Sequence, residues 1–189
     1  MSYTLQEIAK IIDAKPVGNT SGYIQQLVID SRNVVLSTNS LFIAIRGERH
    51  DGHRFIDELY NKGFENFVVE EIPHSISEFP KANFLLVKNS LKALQQLAAF
   101  HRTKFNYPVI GITGSNGKTI VKEWLFHVLQ GERQIIRSPK SYNSQVGVPL
   151  SVWLMDDSFD LAVFEAGISF TGEMEKLEKI IHPTIGIIT

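Results

Sequence analysis

The sequence predicts an α/β protein in which a small N-terminal α/β domain precedes a parallel-sheet domain. Short apolar runs alternate with segments of helical periodicity along the 189 residues. From residue 90 onward, strand and helix candidates alternate at intervals of roughly 25 residues, a spacing that favours crossover connections and a parallel sheet. One strand of that second region also runs through a glycine-rich turn into a helix. These observations predict the fold class.

The composition excludes several classes of protein. The chain has no cysteine, so disulfides and thiolate metal sites are impossible. Its 19 Lys and Arg residues balance 20 Asp and Glu residues, which argues against a protein that binds nucleic acid through massed positive charge. No stretch reaches the roughly 18 apolar residues of a membrane span, and the N-terminus lacks the pattern of a secretory signal. We therefore expect a soluble, cytoplasmic protein without nucleic-acid or membrane partners.

The first region begins with a helix and continues as strands and a second helix. Thr4 and Glu7 have the spacing of a capping box, and the helix that they start should end before Pro16. Further on, Gly63 marks the end of a helix predicted over residues 51–62. Strands are predicted, in chain order, over residues 27–29, 41–45, 67–69 and 84–87. Residues 1–86 are thus predicted to form the first domain.

The second region, residues 87–189, begins with a helix at Ser90. Apolar runs predict strands over residues 109–113, 135–136, 161–164 and 185–188, and helical periodicity covers residues 118–130 and 172–181. The sequence stops on the last of these strands without a covering helix, whereas parallel sheets are normally covered on both faces. We expect an incomplete domain, belonging to a longer protein.

Two predictions concern burial. Trp124 shares a helical face with Val121, Leu125 and Val128, so it is expected in the core. The three histidines on or beside predicted helices are expected to face solvent: His101, His127 and His182.

The glycine-rich turn at Gly114 to Lys118 predicts a phosphate-binding loop. Backbone N–H groups of such a loop and the following helix N-terminus bind phosphates, while Lys118 supplies a positive charge and Thr119 a hydroxyl for Mg²⁺. Glu165, at the end of a predicted parallel strand, offers a carboxylate that suits the same cation. The alternatives are an ordinary turn with a surface lysine and an exposed glutamate at a strand end. His50 and His53 around Asp51 do not complete a zinc site.

At this point the residues resemble a known family, the Mur ligases. The loop has the family's form Thr-Gly-x-Asn-Gly-Lys-Thr, here Thr113 to Thr119. The resemblance extends to other segments of the sequence: Asp30-Ser31-Arg32, residues 41–44, Gly47, residues 51–55, residues 143–149, residues 164–167, residues 172–174 and Pro183. Residues 138–143 are similar to those of members that are fused to an alanine racemase.

The resemblance implies that the first domain binds a UDP-sugar and that the second is the beginning of a P-loop ATPase domain. It is greatest to members that join D-alanyl-D-alanine to UDP-N-acetylmuramoyl-tripeptide through an acyl phosphate, using ATP and Mg²⁺. The implied catalytic residues are Lys118 and Glu165, and the implied metal ligands are Thr119 and Glu165. The implied nucleotide-binding residues are Gly114, Ser115, Asn116, Gly117, Lys118 and Thr119. The implied substrate-binding residues are Ser31, Arg32, Gly47, Asp51, Gly52, His53, Asn143, Ser144 and Gln145. For Ser31 and Arg32 the alternative is a polar turn with a surface pair between Asp30 and Arg32.

The sequence leaves two alternative functions open. One is a related ATP-dependent ligase that extends folate with glutamate, and the other is a non-catalytic nucleotide-binding module. Because the family's remaining domains lie beyond residue 189, the 189-residue chain alone is expected to be inactive in ligation and to need the missing C-terminal domains as partners.

Overall fold

The structure is a computed structural model that describes residues 1–32, 39–47 and 50–189. The chain divides into two compact units, Met1–Leu94 and Gln95–Thr189. We call them unit 1 and unit 2. The domain boundary predicted between residues 86 and 87 stays a prediction.

Unit 1 is a mixed α/β unit whose first helix is capped as predicted. The hydroxyl of Thr4 accepts a hydrogen bond from the backbone N–H of Glu7 at 3.1 Å, and the carboxylate of Glu7 accepts one from the N–H of Thr4 at 2.7 Å. In chain order its elements are β1 (Tyr3–Thr4), α1 (Leu5–Ile11), β2 (Lys15–Val17), β3 (Tyr23–Ile24), β4 (Gln26–Val28), β5 (Ser40–Ile43), a 3₁₀ helix (Gly52–Phe55), α2 (Ile56–Asn61), β6 (Asn66–Val69), a 3₁₀ helix (Ile76–Glu78), β7 (Asn83–Leu86) and the start of α3 (Ser90–Arg102).

Within the described residues, the larger sheet of unit 1 has the strand order β2-β7-β6-β5-β4. Strands β4 to β7 are parallel, and β2 pairs antiparallel with β7, which places Pro16 on an edge strand. Phe67 lies opposite Phe42 on one neighbouring strand and Phe84 on the other, and the Phe67 and Phe84 rings stack 5.4 Å apart. One hydrophobic core of the unit lies where these strands meet α2.

Unit 2 contains a parallel sheet, as the sequence predicts. After α3, its elements are β8 (Val109–Thr113), α4 (Lys118–Leu129), β9 (Ile135–Arg137), α5 (Gly147–Trp153), β10 (Leu161–Glu165), α6 (Glu173–Ile181) and β11 (Ile185–Ile188). Among the described residues the strand order is β11-β8-β10-β9, with every pairing parallel. The carboxyl ends of the strands consequently meet at one edge of the sheet, which is where open α/β sheets bind ligands.

Alternate residues of these strands enter two different cores. Val109 and Phe164 belong to a cluster that includes residues of α5 and α6, whereas Ile110 and Val163 belong to a cluster against which α4 packs. Because side chains alternate across a strand, the two clusters lie on opposite faces of the sheet. Both faces of the sheet are therefore packed against helices at β8 and β10, whereas the edge strand β11 is largely exposed.

The predicted burial of Trp124 is wrong, since its side chain is 68% exposed. The stripe of α4 that packs on the sheet consists of Val121, Leu125 and Leu129. Trp124 lies one residue before this i, i+4, i+8 row, about 100° around the helix, and Val128 on the same row as Trp124 is exposed as well. A broad apolar face on a helix does not show which of its rows contacts the sheet.

The predicted exposure of His101 is also wrong. This side chain is 1% exposed, its ring packs against Phe105 and Trp153, and its Nε2 lies 3.0 Å from the carbonyl oxygen of Met155. Burial lowers the pKa of His101 to about 4, so the ring is neutral near pH 7. His127 and His182 are exposed, as predicted.

No helix in the described part of the chain is both long enough and apolar enough to cross a membrane.

Candidate functional site

The glycine-rich loop lies at the carboxyl end of β8 and leads directly into α4. Gly114 and Gly117 have φ angles of +135° and +80°, a region that residues with a Cβ rarely adopt. A Cβ on Gly114 would clash with the carbonyl oxygen of Thr189. The ammonium of Lys118 donates a hydrogen bond to the carbonyl oxygen of Gly114 at 2.6 Å, so the lysine folds back over the loop. Ser115 and Asn116 form the exposed tip of the loop.

Thr119 and Glu165 meet at the same edge of the sheet. Glu165 ends β10, the strand next to β8, and its Oε2 accepts a hydrogen bond from the hydroxyl of Thr119 at 3.0 Å. The Glu165 side chain is 0% exposed, so the alternative of an exposed glutamate at a strand end is wrong. A hydroxyl and a carboxylate are hard oxygen ligands, which fit Mg²⁺.

Lys122 is a charged residue of this site that the sequence reasoning missed. Its Nζ lies 2.9 Å from Oε1 of Glu165, and both side chains are 0% exposed. The same Nζ donates hydrogen bonds to the carbonyl oxygens of Ser138, at 2.9 Å, and of Lys140. The sequence does contain a signal, because a lysine four residues after Lys118 lies on the same face of the helix.

The predicted substrate residues of unit 2 border the same cavity as the loop. Asn143, Ser144 and Gln145 precede α5, and the Nε2 of Gln145 donates to the carbonyl oxygen of Glu173 at 3.3 Å. The hydroxyl of Ser144 accepts a hydrogen bond from the N–H of Gly147 at 3.1 Å, at the start of that helix. A cavity of about 810 Å³ is lined by residues 113–115, Lys118, residues 143–146, residues 167–169, Glu173, Met174 and Ile188.

These residues fit a nucleotide with a divalent cation. The positive φ of the two loop glycines, the N-terminus of α4 and the Lys118 ammonium are features that suit the binding of a polyphosphate. Within the described ranges, no cluster of three or more His, Asp or Glu side chains is arranged to hold a metal ion. A cation at Thr119 and Glu165 would therefore need oxygen ligands from the phosphates as well.

In unit 1, four of the predicted substrate residues lie between β5 and α2: Gly47, Asp51, Gly52 and His53. The N–H of Gly47 donates to the carbonyl oxygen of His50 at 2.8 Å, and a Cβ on Gly52 would come within 2.9 Å of the Cα of Ala44. Oδ1 of Asp51 accepts from the N–H of His53 at 3.0 Å and lies 2.6 Å from its Nδ1. The Nε2 of His53 in turn accepts from the N–H of Glu70 at 2.9 Å. Both ring nitrogens of His53 are therefore engaged within the unit.

The other two predicted substrate residues of unit 1 follow β4, the parallel neighbour of β5. Ser31 is buried, whereas the Arg32 side chain is 82% exposed and pairs with Asp30 at 2.7 Å. The hydrogen bonds from Arg32 lower the pKa of Asp30 to about 2. Because the carboxyl ends of β4 and β5 share one edge of the sheet, both groups of predicted residues lie along that edge.

Comparison with known proteins agrees with this arrangement. Residues 23–102 match the model "Mur ligase family, catalytic domain", and residues 112–189 match "Mur ligase middle domain". The chain belongs to the Mur ligase family. A relative from Borreliella burgdorferi named UDP-N-acetylmuramoyl-tripeptide--D-alanyl-D-alanine ligase is 36% identical over 188 residues, which cover 94% of this chain and 40% of the relative.

Solved structures show the same fold. A UDP-N-acetylmuramoylalanyl-D-glutamyl-2,6-diaminopimelate--D-alanyl-D-alanyl ligase from Acinetobacter baumannii matches with a TM-score of 0.88 at 26% identity, covering 100% of this chain and 41% of that one. A MurF ligase from Thermotoga maritima in complex with ADP matches with a TM-score of 0.70 at 32% identity, covering 82% of this chain and 35% of that one. The chain thus spans about 40% of the length of the relatives it matches.

Proposed function

We propose that this chain forms the UDP-sugar-binding domain and the first part of the ATP-binding domain of a cytoplasmic ligase of cell-wall precursor synthesis. The domains would comprise residues 1–86 and 87–189. The reaction would join D-alanyl-D-alanine to UDP-N-acetylmuramoyl-tripeptide, the substrates in the name of the Borreliella relative. The observation that carries the proposal is the meeting of Lys118, Thr119 and Glu165 at the carboxyl edge of a parallel sheet.

The residues of unit 2 would bind and neutralise the phosphates. When bound, Mg²⁺-ATP would supply the phosphoryl group that activates the peptide carboxylate as an acyl phosphate, from which the dipeptide amine displaces phosphate as the amide forms. The N–H groups of residues 114–117 and the N-terminus of α4 hold phosphate oxygens. Lys118 offsets negative charge on the transferring group, and Thr119 and Glu165 hold the cation.

The substrate residues would divide between the two units. Arg32 would present an exposed guanidinium to the UDP group, beside the buried hydroxyl of Ser31. Gly47 and the turn at Gly52 would let the backbone approach the ligand closely. His53, whose ring nitrogens contact Asp51 and Glu70, would act by fixing that turn. Asn143, Ser144 and Gln145 would border the peptide where it approaches the phosphates.

Calorimetric titration of the chain with Mg²⁺-ATP and, separately, with UDP-N-acetylmuramoyl-tripeptide tests the proposal. We expect both ligands to bind. Lys118→Ala should weaken ATP binding by about tenfold or more, because it removes a charge-assisted contact, and should leave UDP-sugar binding unchanged. Lys179→Ala, which removes an exposed lysine of α6, is the matched control and should alter neither affinity.

Two results would contradict the proposal. Unchanged ATP binding by the Lys118→Ala variant would remove the phosphate-binding role of the loop. Binding of ATP without any binding of the UDP-sugar would favour a folate-type ligase or a non-catalytic nucleotide-binding module instead.

A further inference from the structure

The proposed function gives no role to Lys122, although it is the most completely enclosed cation of the site. Its Nζ is surrounded by the carbonyl oxygens of Ser138 and Lys140 and by Oε1 of Glu165 at 2.9 Å. A buried ammonium is costly unless it is paired and hydrogen-bonded, and here it is both. The chain therefore holds a fixed positive charge against the carboxylate that is proposed to bind the cation.

The two oxygens of Glu165 face different groups. Oε2 faces the hydroxyl of Thr119 at 3.0 Å, and Oε1 faces the ammonium of Lys122. The N–H of Glu165 donates to the hydroxyl of Ser138 at 3.1 Å, which fixes the backbone at the same point. The carboxylate is thus oriented with Oε2 toward Thr119, the other proposed cation ligand.

The charges close to this pair nearly cancel. Lys122 neutralises Glu165, and the Glu123 carboxylate, 3.4 Å from the Lys122 ammonium, pairs with Arg137. An ammonium this close to Glu165 opposes a divalent cation at the same carboxylate, and burial strengthens that opposition because the local dielectric constant is low. A single neutralised carboxylate is a weak site for a bare cation, whereas the negative charge of a triphosphate restores the attraction.

We propose that Lys122 is a positioning residue that orients and neutralises Glu165, so that the divalent cation binds together with nucleotide phosphates and not alone. This inference rests on the proposed function. It assigns to α4 two lysines with different roles: Lys118 contacts phosphate, and Lys122 sets the charge of the metal ligand.

The test measures Mn²⁺ binding by electron paramagnetic resonance, with and without ATP. Wild-type chain should bind Mn²⁺ alone weakly and bind it about tenfold or more tightly with ATP. Lys122→Met, which removes the charge and retains much of the volume, should bind Mn²⁺ alone about tenfold more tightly than wild type, so that the advantage given by ATP shrinks. Lys122→Arg retains the charge and should bind Mn²⁺ alone as weakly as wild type. Lys179→Met is the exposed control.

The inference is overturned if folded Lys122→Met binds Mn²⁺ alone no more tightly than wild type, or if Lys122→Arg behaves as Lys122→Met does. It is also overturned if wild type binds Mn²⁺ equally well with and without ATP, a result that does not depend on the folding of any variant. Failure of wild type to bind ATP in the presence of Mn²⁺ contradicts the proposed function as well. Normal ATP binding with unchanged Mn²⁺ affinity in Lys122→Met contradicts this inference alone.

Discussion

Units 1 and 2 hold the ion pairs at their proposed sites in opposite environments. In unit 2, Lys122 and Glu165 are both 0% exposed, whereas in unit 1 the Arg32 and Asp30 side chains are 82% and 43% exposed. A buried pair must keep both partners because neither can return to water, but an exposed pair loses little when one partner leaves. The Arg32–Asp30 pair of unit 1 can therefore separate at little cost, whereas burial holds Lys122 and Glu165 of unit 2 in place.

The largest expected effect comes from breaking the buried pair. Lys122→Met should lower the free energy of unfolding by about 3–5 kcal/mol, because it leaves the Glu165 carboxylate buried without its cation. The double variant Lys122→Met with Glu165→Gln removes both charges and should lose much less. Urea unfolding followed by circular dichroism measures both changes, and a double variant as unstable as the single one would contradict the pairing.

Buried His101 of unit 2 should make the stability of the protein depend on pH. Burial lowers the pKa of His101 to about 4, from an ordinary value near 6.5 in the unfolded chain. Between these values the unfolded chain binds the proton and the folded chain does not, so stability should fall as pH falls from 6.5 to 4, by about 2–3 kcal/mol in total. Urea midpoints across this range measure the slope. The His101→Gln variant should show a shallower slope, and an equally steep one would exclude His101 as its source.

A smaller effect is expected in unit 1 at the half-buried turn. Asp51→Ala removes the acceptor of the His53 N–H and the ion pair with Arg46 at 3.0 Å. We expect a loss of about 1–2 kcal/mol, the usual cost of deleting a capping acceptor. Thermal unfolding measures this loss. The control is Asp57→Ala, which removes an exposed aspartate of α2. Burial raises the Asp51 pKa but the hydrogen bonds from His53 lower it further, so the net shift is downward and the stabilisation should disappear in acid.

The smallest effect is expected at the exposed pair. The hydrogen bonds from Arg32 lower the pKa of Asp30 to about 2, so its contribution to stability is present above about pH 4 and is lost as pH falls toward 2. Since the pair is open to solvent, Asp30→Asn should change the free energy of unfolding by less than about 1 kcal/mol at neutral pH, and less again near 1 M salt. Urea midpoints at low and high salt check this, and a loss as large as that of Lys122→Met would remove the contrast between the units.

Local sequence patterns predicted most of the elements but not all of them. The capping box of α1 and the strand Val109–Thr113 are confirmed because both depend on neighbouring residues. Helix α5, Gly147–Trp153, was not predicted. It is short and buried on most sides, so its sequence lacks the alternation of apolar and polar residues that marks a helix with one exposed face. The short strand β2 was missed because its pairing with β7 is set by residues about 70 positions away.

At the site, the residues of the glycine-rich loop could be predicted from the sequence, but the buried ion pair between Lys122 and Glu165 could not. Gly114 to Thr119 are contiguous, so their motif is readable without a fold. The pairing of Lys122 with Glu165 joins a helix to a strand 43 residues later, and only the parallel register of β8 and β10 brings them together. The roles of these residues toward ligands stay predictions.

Pro16 in β2 has a consequence for the behaviour of the protein in concentrated solution. An edge strand exposes unpaired backbone groups to which a strand of another molecule can add. Proline has no N–H, and β2 has only three residues, Lys15–Val17. A strand of another molecule could therefore form only a few backbone hydrogen bonds with β2, and the N–H donor of residue 16 is missing. This edge of unit 1 should resist the addition of strands from other molecules.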